Sequence, residues 1–173
     1  MPRIDHLLAS DDALIAQCEV DRYRASGPGG QHRNKTESAV RLRHKLTGVS
    51  AIGEDSRSQA ENKMHAVRRL RSAIALEVRE PVVLEPYRPS PRLAALVAGG
   101  TAPLGAKTKH TGEYWTAMAE LLDLLVAGGL EIAATAQRLG ITTGAMSKLL
   151  LHDETIARTV NDLRRAKGMR PLR

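Results

Sequence analysis

The placement of proline constrains this chain more than any other feature. Five of its eight prolines (Pro81, Pro86, Pro89, Pro91 and Pro103) fall between 81 and 103, and Gly99, Gly100 and Gly105 join them. Proline fixes φ and lacks a backbone N–H, so such a stretch disfavours both helix interiors and central strands. Residues 81–112 are therefore predicted as a Pro/Gly-rich linker between two lobes, 1–80 and 113–173. A length of 173 residues suits one compact domain or two small ones, and no internal repeat is evident.

The first lobe is predicted as α+β. Ser10 can cap a short helix to Cys18, with Asp11 and Asp12 in its first turn, where the helix dipole favours anions. Glu19–Arg24 alternates like a strand. Ser38–Leu46 alternates more cleanly, with Val40, Leu42 and Leu46 on one face and Arg41, Arg43 and Lys45 on the other. Thr47-Gly48 then turns the chain into Val49–Ile52, a hairpin partner. Ser56-Arg-Ser-Gln59 has a capping-box pattern and opens a long helix to about Arg79. Its expected stripe of Ala60, Met64, Val67, Ile74 and Val78 would pack on the small antiparallel sheet. The second lobe is predicted as all helix, over 114–127, Glu131–Leu139, Thr143–Leu151 and Glu154–Ala166.

Composition narrows the function classes. The longest apolar stretch, Leu124 to Leu130, is far short of the ~18 residues a membrane span needs, so no membrane role is expected. One cysteine, Cys18, excludes an internal disulfide and a multi-cysteine zinc site, and fits a reducing compartment. No apolar run follows the N-terminus, so a cytoplasmic protein is expected. The six histidines show no metal-ligand spacing, and no metal or other cofactor is expected. A net charge of +7 points to nucleic acid or the ribosome as partner. Aromatics make up only 2% of the chain, which argues against recognition by base stacking.

The segment that carries chemistry is Ser26-Gly-Pro-Gly-Gly-Gln-His-Arg-Asn-Lys-Thr36. Read as a phosphate-binding loop from Gly29, it fails at Asn34, and a strand-like rather than helical pattern follows it. Read as a dinucleotide fingerprint from Gly27, it fails at His32. The successive glycines Gly29 and Gly30 open backbone angles closed to other residues and allow close approach to a ligand. Gln31 then offers a backbone N–H and an amide at the tip. Neither group is a general base. Each can donate to charge developing on an ester oxygen, or position water.

This segment and its flanks resemble the catalytic domain of class I peptide chain release factors and their rescue relatives, the codon-independent peptidyl-tRNA hydrolases. The resemblance covers roughly residues 10–80. It runs through Arg22-Tyr-Arg-Ala-Ser-Gly-Pro-Gly-Gly-Gln-His32, Asn34-Lys-Thr36, Ser38-Ala-Val-Arg-Leu42, Thr47-Gly48, Arg57-Ser-Gln59 and Asn62-Lys63. Arg33 departs from it, standing where the family commonly has an apolar residue. The resemblance implies that Gly29, Gly30 and Gln31 are catalytic. It also implies that peptidyl-tRNA is the substrate, and that large-subunit ribosomal RNA and the tRNA's terminal adenosine complete the site. Fewer than twenty residues precede the first strand, so no codon-reading domain is expected there, and release is expected on stalled ribosomes whatever the codon.

Basic residues around the loop, Arg22, Arg24, Arg33, Lys35, Arg41 and Arg43, are candidates for RNA phosphate contacts. In the second lobe Ala136, Gly140, Ile141, Met146 and Leu149 fall at helix-turn-helix spacing. Thr142, Thr143, Ser147 and Lys148 offer little to base edges, which disfavours a DNA reader. Arg164, Arg165, Lys167 and Arg170 form a basic C-terminal end. It is expected to meet small-subunit ribosomal RNA or the mRNA channel, with the protein acting as a monomer. The alternative is a helix-turn-helix nucleic-acid-binding regulator whose first lobe is a vestigial RNA-binding module.

Overall fold

The computed structural model describes residues 2–23, 38–99 and 111–173. The chain divides into two compact units, Met1–Val78 and Arg79–Arg173.

The first unit opens with two short helices, α1 (Arg3–Leu8) and α2 (Asp11–Ala16). Ser10 caps α2 as expected, its hydroxyl accepting from Ala13 N at 3.2 Å. Strands β1 (Cys18–Tyr23), β2 (Ala39–His44) and β3 (Ser50–Gly53) then form an antiparallel sheet in the order β1-β2-β3. Val40, Leu42 and His44 of β2 are buried while Arg41 and Arg43 are exposed. Leu46, expected on the buried face, is 67% exposed. The reason is that β2 ends at His44 and the chain has already entered the turn.

The long helix α3 (Gln59–Glu77) lies over β2 and β3. Its cap is Ser58, which accepts from Glu61 N at 3.3 Å; Ser56 pairs with the Glu61 carboxylate instead. The buried stripe differs from the expected one. Ala60 and Met64 are exposed, and the core side carries Ala66, Val67, Leu70 and Ile74. The helix is turned so that Asn62, fully buried, faces the sheet. That choice is set by Gly53, where a Cβ would lie 2.9 Å from Ala66 N and inside the carbonyl of Asn62. Only glycine lets the two backbones meet this closely.

Polar side chains fasten the ends of this unit. Arg71, 5% exposed, donates to Leu7 O (3.1 Å), Ala9 O (2.7 Å) and Asp11 Oδ1 (2.8 Å), pinning the α1–α2 corner to α3. The buried imidazoles His6 and His44 both hydrogen-bond Gln17 Oε1, at 2.6 and 3.0 Å. Thr47 N–H donates to His44 Nδ1 at 3.2 Å, so the His44 proton sits on Nε2. Burial, with His6 beside it, holds the His44 imidazole below the usual histidine range.

The second unit holds α4 (Pro91–Ala98), α5 (Gly112–Ala127), α6 (Ile132–Arg138), α7 (Thr143–Leu151) and α8 (Glu154–Ala166). Helix α4 lies inside the stretch expected as a linker. Pro91 occupies its first turn, where proline costs nothing, and Ser90 caps it with a 3.2 Å bond from Leu93 N. Leu93 and Leu96 are buried, and α4 packs on α5. The residues before it are tied to α5 as well. Tyr87 Oη and Ser90 N each donate to Glu120 at 2.9 Å, and Arg79 pairs with the buried Asp123 at 2.8 Å. Prolines here start a helix and shape a packed approach to it.

Helix α5 is buried along most of its length, including Leu121, Leu122, Leu124 and Leu125, and forms the centre of this unit. A four-residue turn joins α6 to α7. Gly140 takes φ +68° there, and Ile141 N donates back to Ala136 O at 3.0 Å. Ala136, Met146 and Leu149 are buried between the helices, as the helix-turn-helix spacing requires. No helix among the described residues is long and apolar enough to cross a membrane.

Candidate functional site

The Gly-Pro-Gly-Gly-Gln segment belongs to the connection 24–37 between β1 and β2. Gly29, Gly30, Gln31, Arg24, Arg33 and Lys35 lie outside the described residues. What the structure places is the platform from which that connection springs.

Its two ends are the opposed residues Tyr23 and Ala39, the last rung of the β1–β2 ladder. Burial and the neighbouring Glu54 push the Tyr23 hydroxyl up from its ordinary pKa, with Arg41 opposing. Ser38 immediately precedes this rung. Its carbonyl accepts from Asn62 Nδ2 at 2.8 Å. The same amide donates to Ser56 O and accepts from Ser56 N, both at 2.8 Å. One buried side chain thus holds the end of the connection, the β3–α3 loop and the first turns of α3 together. Asn62 was quoted above only as part of a resemblance; no sequence pattern announces its role, because its partners lie 24 and 6 residues away.

The sheet separates the expected phosphate contacts. Arg41 and Arg43 stand on the outward face of β2, opposite Asp21 and Glu19 of β1. Arg41 donates to Asp21 Oδ2 from both Nε (3.0 Å) and Nη2 (2.8 Å), while Arg43 approaches Glu19 only to 4.0 Å. Both pairs are half exposed, so solvent screens them and neither contributes much to stability. Arg22 is exposed on the edge strand at a register position one residue out of phase with these, and has no ion pair among the described residues.

In the second unit Arg164 is committed to the fold. It donates to Leu130 O at 2.6 Å and Arg170 O at 2.8 Å. Arg165 pairs with Asp162 at 3.0 Å. After α8 the chain turns back, and Asn161 exchanges two hydrogen bonds with Leu172 (2.7 and 3.3 Å). Lys167 and Arg170 are exposed on this fold-back, with no ion pair among the described residues. Among the described residues no group of three or more His, Cys, Asp or Glu side chains is arranged to hold a metal ion.

The first unit is thus a three-stranded antiparallel sheet backed by one long helix, and the Gly-Gly-Gln string falls in the sequence between its first two strands. Residues 14–85 match the family model of the RF-1 domain, the Gly-Gly-Gln-containing domain of class I release factors. Similar proteins bear this out. Peptide chain release factor 2 of Buchnera aphidicola is 52% identical over 69 residues, which is 37% of this chain and 19% of that protein. Peptide chain release factor 1 of Nitrosospira multiformis is 43% identical over 86 residues, 49% of this chain and 22% of that protein. The corresponding factor of Acetivibrio thermocellus is 51% identical over 61 residues, 35% of this chain and 17% of that protein. The chain thus spans about a fifth of the length of the curated relatives it matches.

Proposed function

We propose that this chain hydrolyses the ester of peptidyl-tRNA on the ribosome and does so whatever codon is presented, releasing peptide from stalled complexes. The observation that carries this reading is the RF-1 domain match over 14–85, within which Gly29-Gly30-Gln31 stands uninterrupted. In this reading water attacks the ester carbonyl, and the Gln31 backbone N–H donates to the oxyanion that develops. The Gln31 amide orients the water and excludes larger nucleophiles, while Gly29 and Gly30 let the backbone approach without a Cβ. Ribosomal RNA and the tRNA's terminal adenosine supply the rest of the site. Arg22, Arg24, Arg33, Lys35, Arg41 and Arg43 hold nearby phosphates, and Lys167 and Arg170 reach small-subunit RNA or the mRNA channel.

The test is peptide release from ribosomes loaded with peptidyl-tRNA and presenting a sense codon, a stop codon or truncated mRNA. Similar rates in all three are expected; a strong stop-codon preference at equal occupancy would sink the rescue reading. Gly29→Ala should nearly abolish release. Gln31→Pro, which deletes the N–H, should cost ~10²–10³ in rate and exceed Gln31→Ala. The α6–α7 arrangement favours a second reading, a duplex-binding regulator. Preference for one DNA sequence by ~10³-fold or more, in a chain inert on stalled ribosomes, would establish it instead.

A further inference from the structure

The polar groups near the Gly-Gly-Gln connection converge on one side chain that the mechanism above does not use. Asn62 is fully buried in the first turns of α3, yet its amide is not spent on its own helix. It makes three hydrogen bonds, all at 2.8 Å, to Ser38 O, Ser56 O and Ser56 N. A buried amide so satisfied, with two donors and its acceptor engaged in fixed directions, is an orienting clamp. Two further features serve the same geometry. Gly53 lets α3 come close enough for a side chain as short as asparagine to reach across to the start of β2. The ladder pairing Val40 with Gly53 sets the height of Ser38 relative to that contact.

We infer that Asn62 is a positioning residue for peptide release. It fixes Ser38, the described residue that follows the segment carrying Gly29-Gly30-Gln31, to α3 and to Ser56. This inference rests on the proposed hydrolytic function. Without the clamp, Ser38 O and Ser56 O lose this donor, and the Tyr23–Ala39 rung is the remaining described pairing beside Ser38. A displacement of about 1 Å at a reacting group can lower a rate by about a hundredfold. The effect belongs in the catalytic step rather than in ribosome binding, because Asn62 is buried and touches no partner.

The experiment uses the full chain with Asn62→Ala, Asn62→Asp and a core control, Val67→Ala. Val67 is fully buried in the same helix, and its truncation weakens packing while leaving the Asn62 hydrogen bonds to Ser38 and Ser56 in place. Asn62→Asp keeps the acceptor for Ser56 N but turns an oxygen toward two carbonyls. At a temperature where all variants are folded, both Asn62 variants should lose tenfold or more in maximal release rate. The protein concentration for half-maximal rate should stay within about threefold. Val67→Ala should keep its maximal rate. Amide hydrogen exchange gives a readout without the ribosome: Ala39 and Val40 should exchange at least tenfold faster in Asn62→Ala, while Leu42 and Arg43 stay protected. Full release by Asn62→Ala, or equal loss in Val67→Ala, would overturn the inference. So would unchanged exchange at Ala39 and Val40. A wild-type chain inert on every stalled complex would instead refute the hydrolytic reading, and exchange would still decide whether Asn62 holds the end of the connection.

Discussion

Gly53→Ala tests the closest backbone contact in the first unit. A Cβ at this position would fall 2.8 Å from the Asn62 carbonyl carbon and 2.9 Å from Ala66 N, both helix backbone that no rotamer change can move aside. Helix α3 must therefore retreat from β3 by more than about 1 Å to restore ordinary van der Waals separation. A gap of 0.5–1 Å forfeits about a quarter to a half of the packing attraction of the groups that line it. The core of α3 that such a retreat loosens includes Ala66, Val67, Leu70 and Ile74, each fully buried. With the three larger ones worth about 1.5–3 kcal/mol apiece, the loss comes to about 1–4 kcal/mol. Against a typical domain stability of about 5–15 kcal/mol this is a large effect. Urea unfolding followed by far-ultraviolet circular dichroism reads it, with the fluorescence of Trp115 following the second unit separately. Two other glycines provide contrast. Gly48→Ala meets no atom within 4 Å and carries only the strain of φ +74°, about 1 kcal/mol. Gly144→Ala, in the first turn of α7 with open space around it, should stabilise by roughly 0.5–1 kcal/mol. If Gly53→Ala unfolds at the same urea concentration as the wild type, α3 does not lie against β3 as described.

The pH dependence of stability follows from His44. Its folded pKa is lowered, so the folded state favours the neutral ring; this contribution is intact above the unfolded value of ~6.5 and is lost as pH falls from there toward the folded pKa. Melting temperature should drop as pH falls below the unfolded value of about 6.5, and His44→Gln should flatten the drop; a slope unchanged by that substitution would assign it elsewhere. Asp123→Ala removes a carboxylate that is 4% exposed and leaves Arg79 without it, and should cost about 2–3 kcal/mol, below the range for a fully buried pair because Arg79 is partly solvated. The transition reported by Trp115 is the measurement, and no shift there would refute the assignment. For RNA contact, neutralising Lys167 or Arg170 should each flatten the dependence of log affinity on log salt by ~0.7–0.9. Arg165→Ala should flatten it less, since Asp162 already pairs with that arginine; equal slopes for all three would show that the Asp162 pair is broken on binding.

What the sequence by itself determined is whatever depends on neighbours along the chain. Ser10 as a cap, the alternation of β2, the turn at Gly48 and the bounds of α7 and α8 were all legible, because caps, pleats and turns involve residues a few positions apart. The Gly29-Gly30-Gln31 string is readable for a related reason: it consists of consecutive residues. Tertiary structure decided the rest. Of the apolar stripe expected on α3, Val67 and Ile74 are buried but Ala60 and Met64 are not, since at the start of the helix the buried Asn62 and the close approach at Gly53 take the sheet-facing side. The proline stretch holds a packed helix because Glu120 and Asp123, one turn apart on α5, gather the residues that lead into it. Asp21 facing Arg41 depends on a register set across the fifteen residues between β1 and β2, which local pattern does not specify. In each case the deciding interaction joins groups far apart in sequence, and its strength comes from burial and geometry that exist only once the chain has folded.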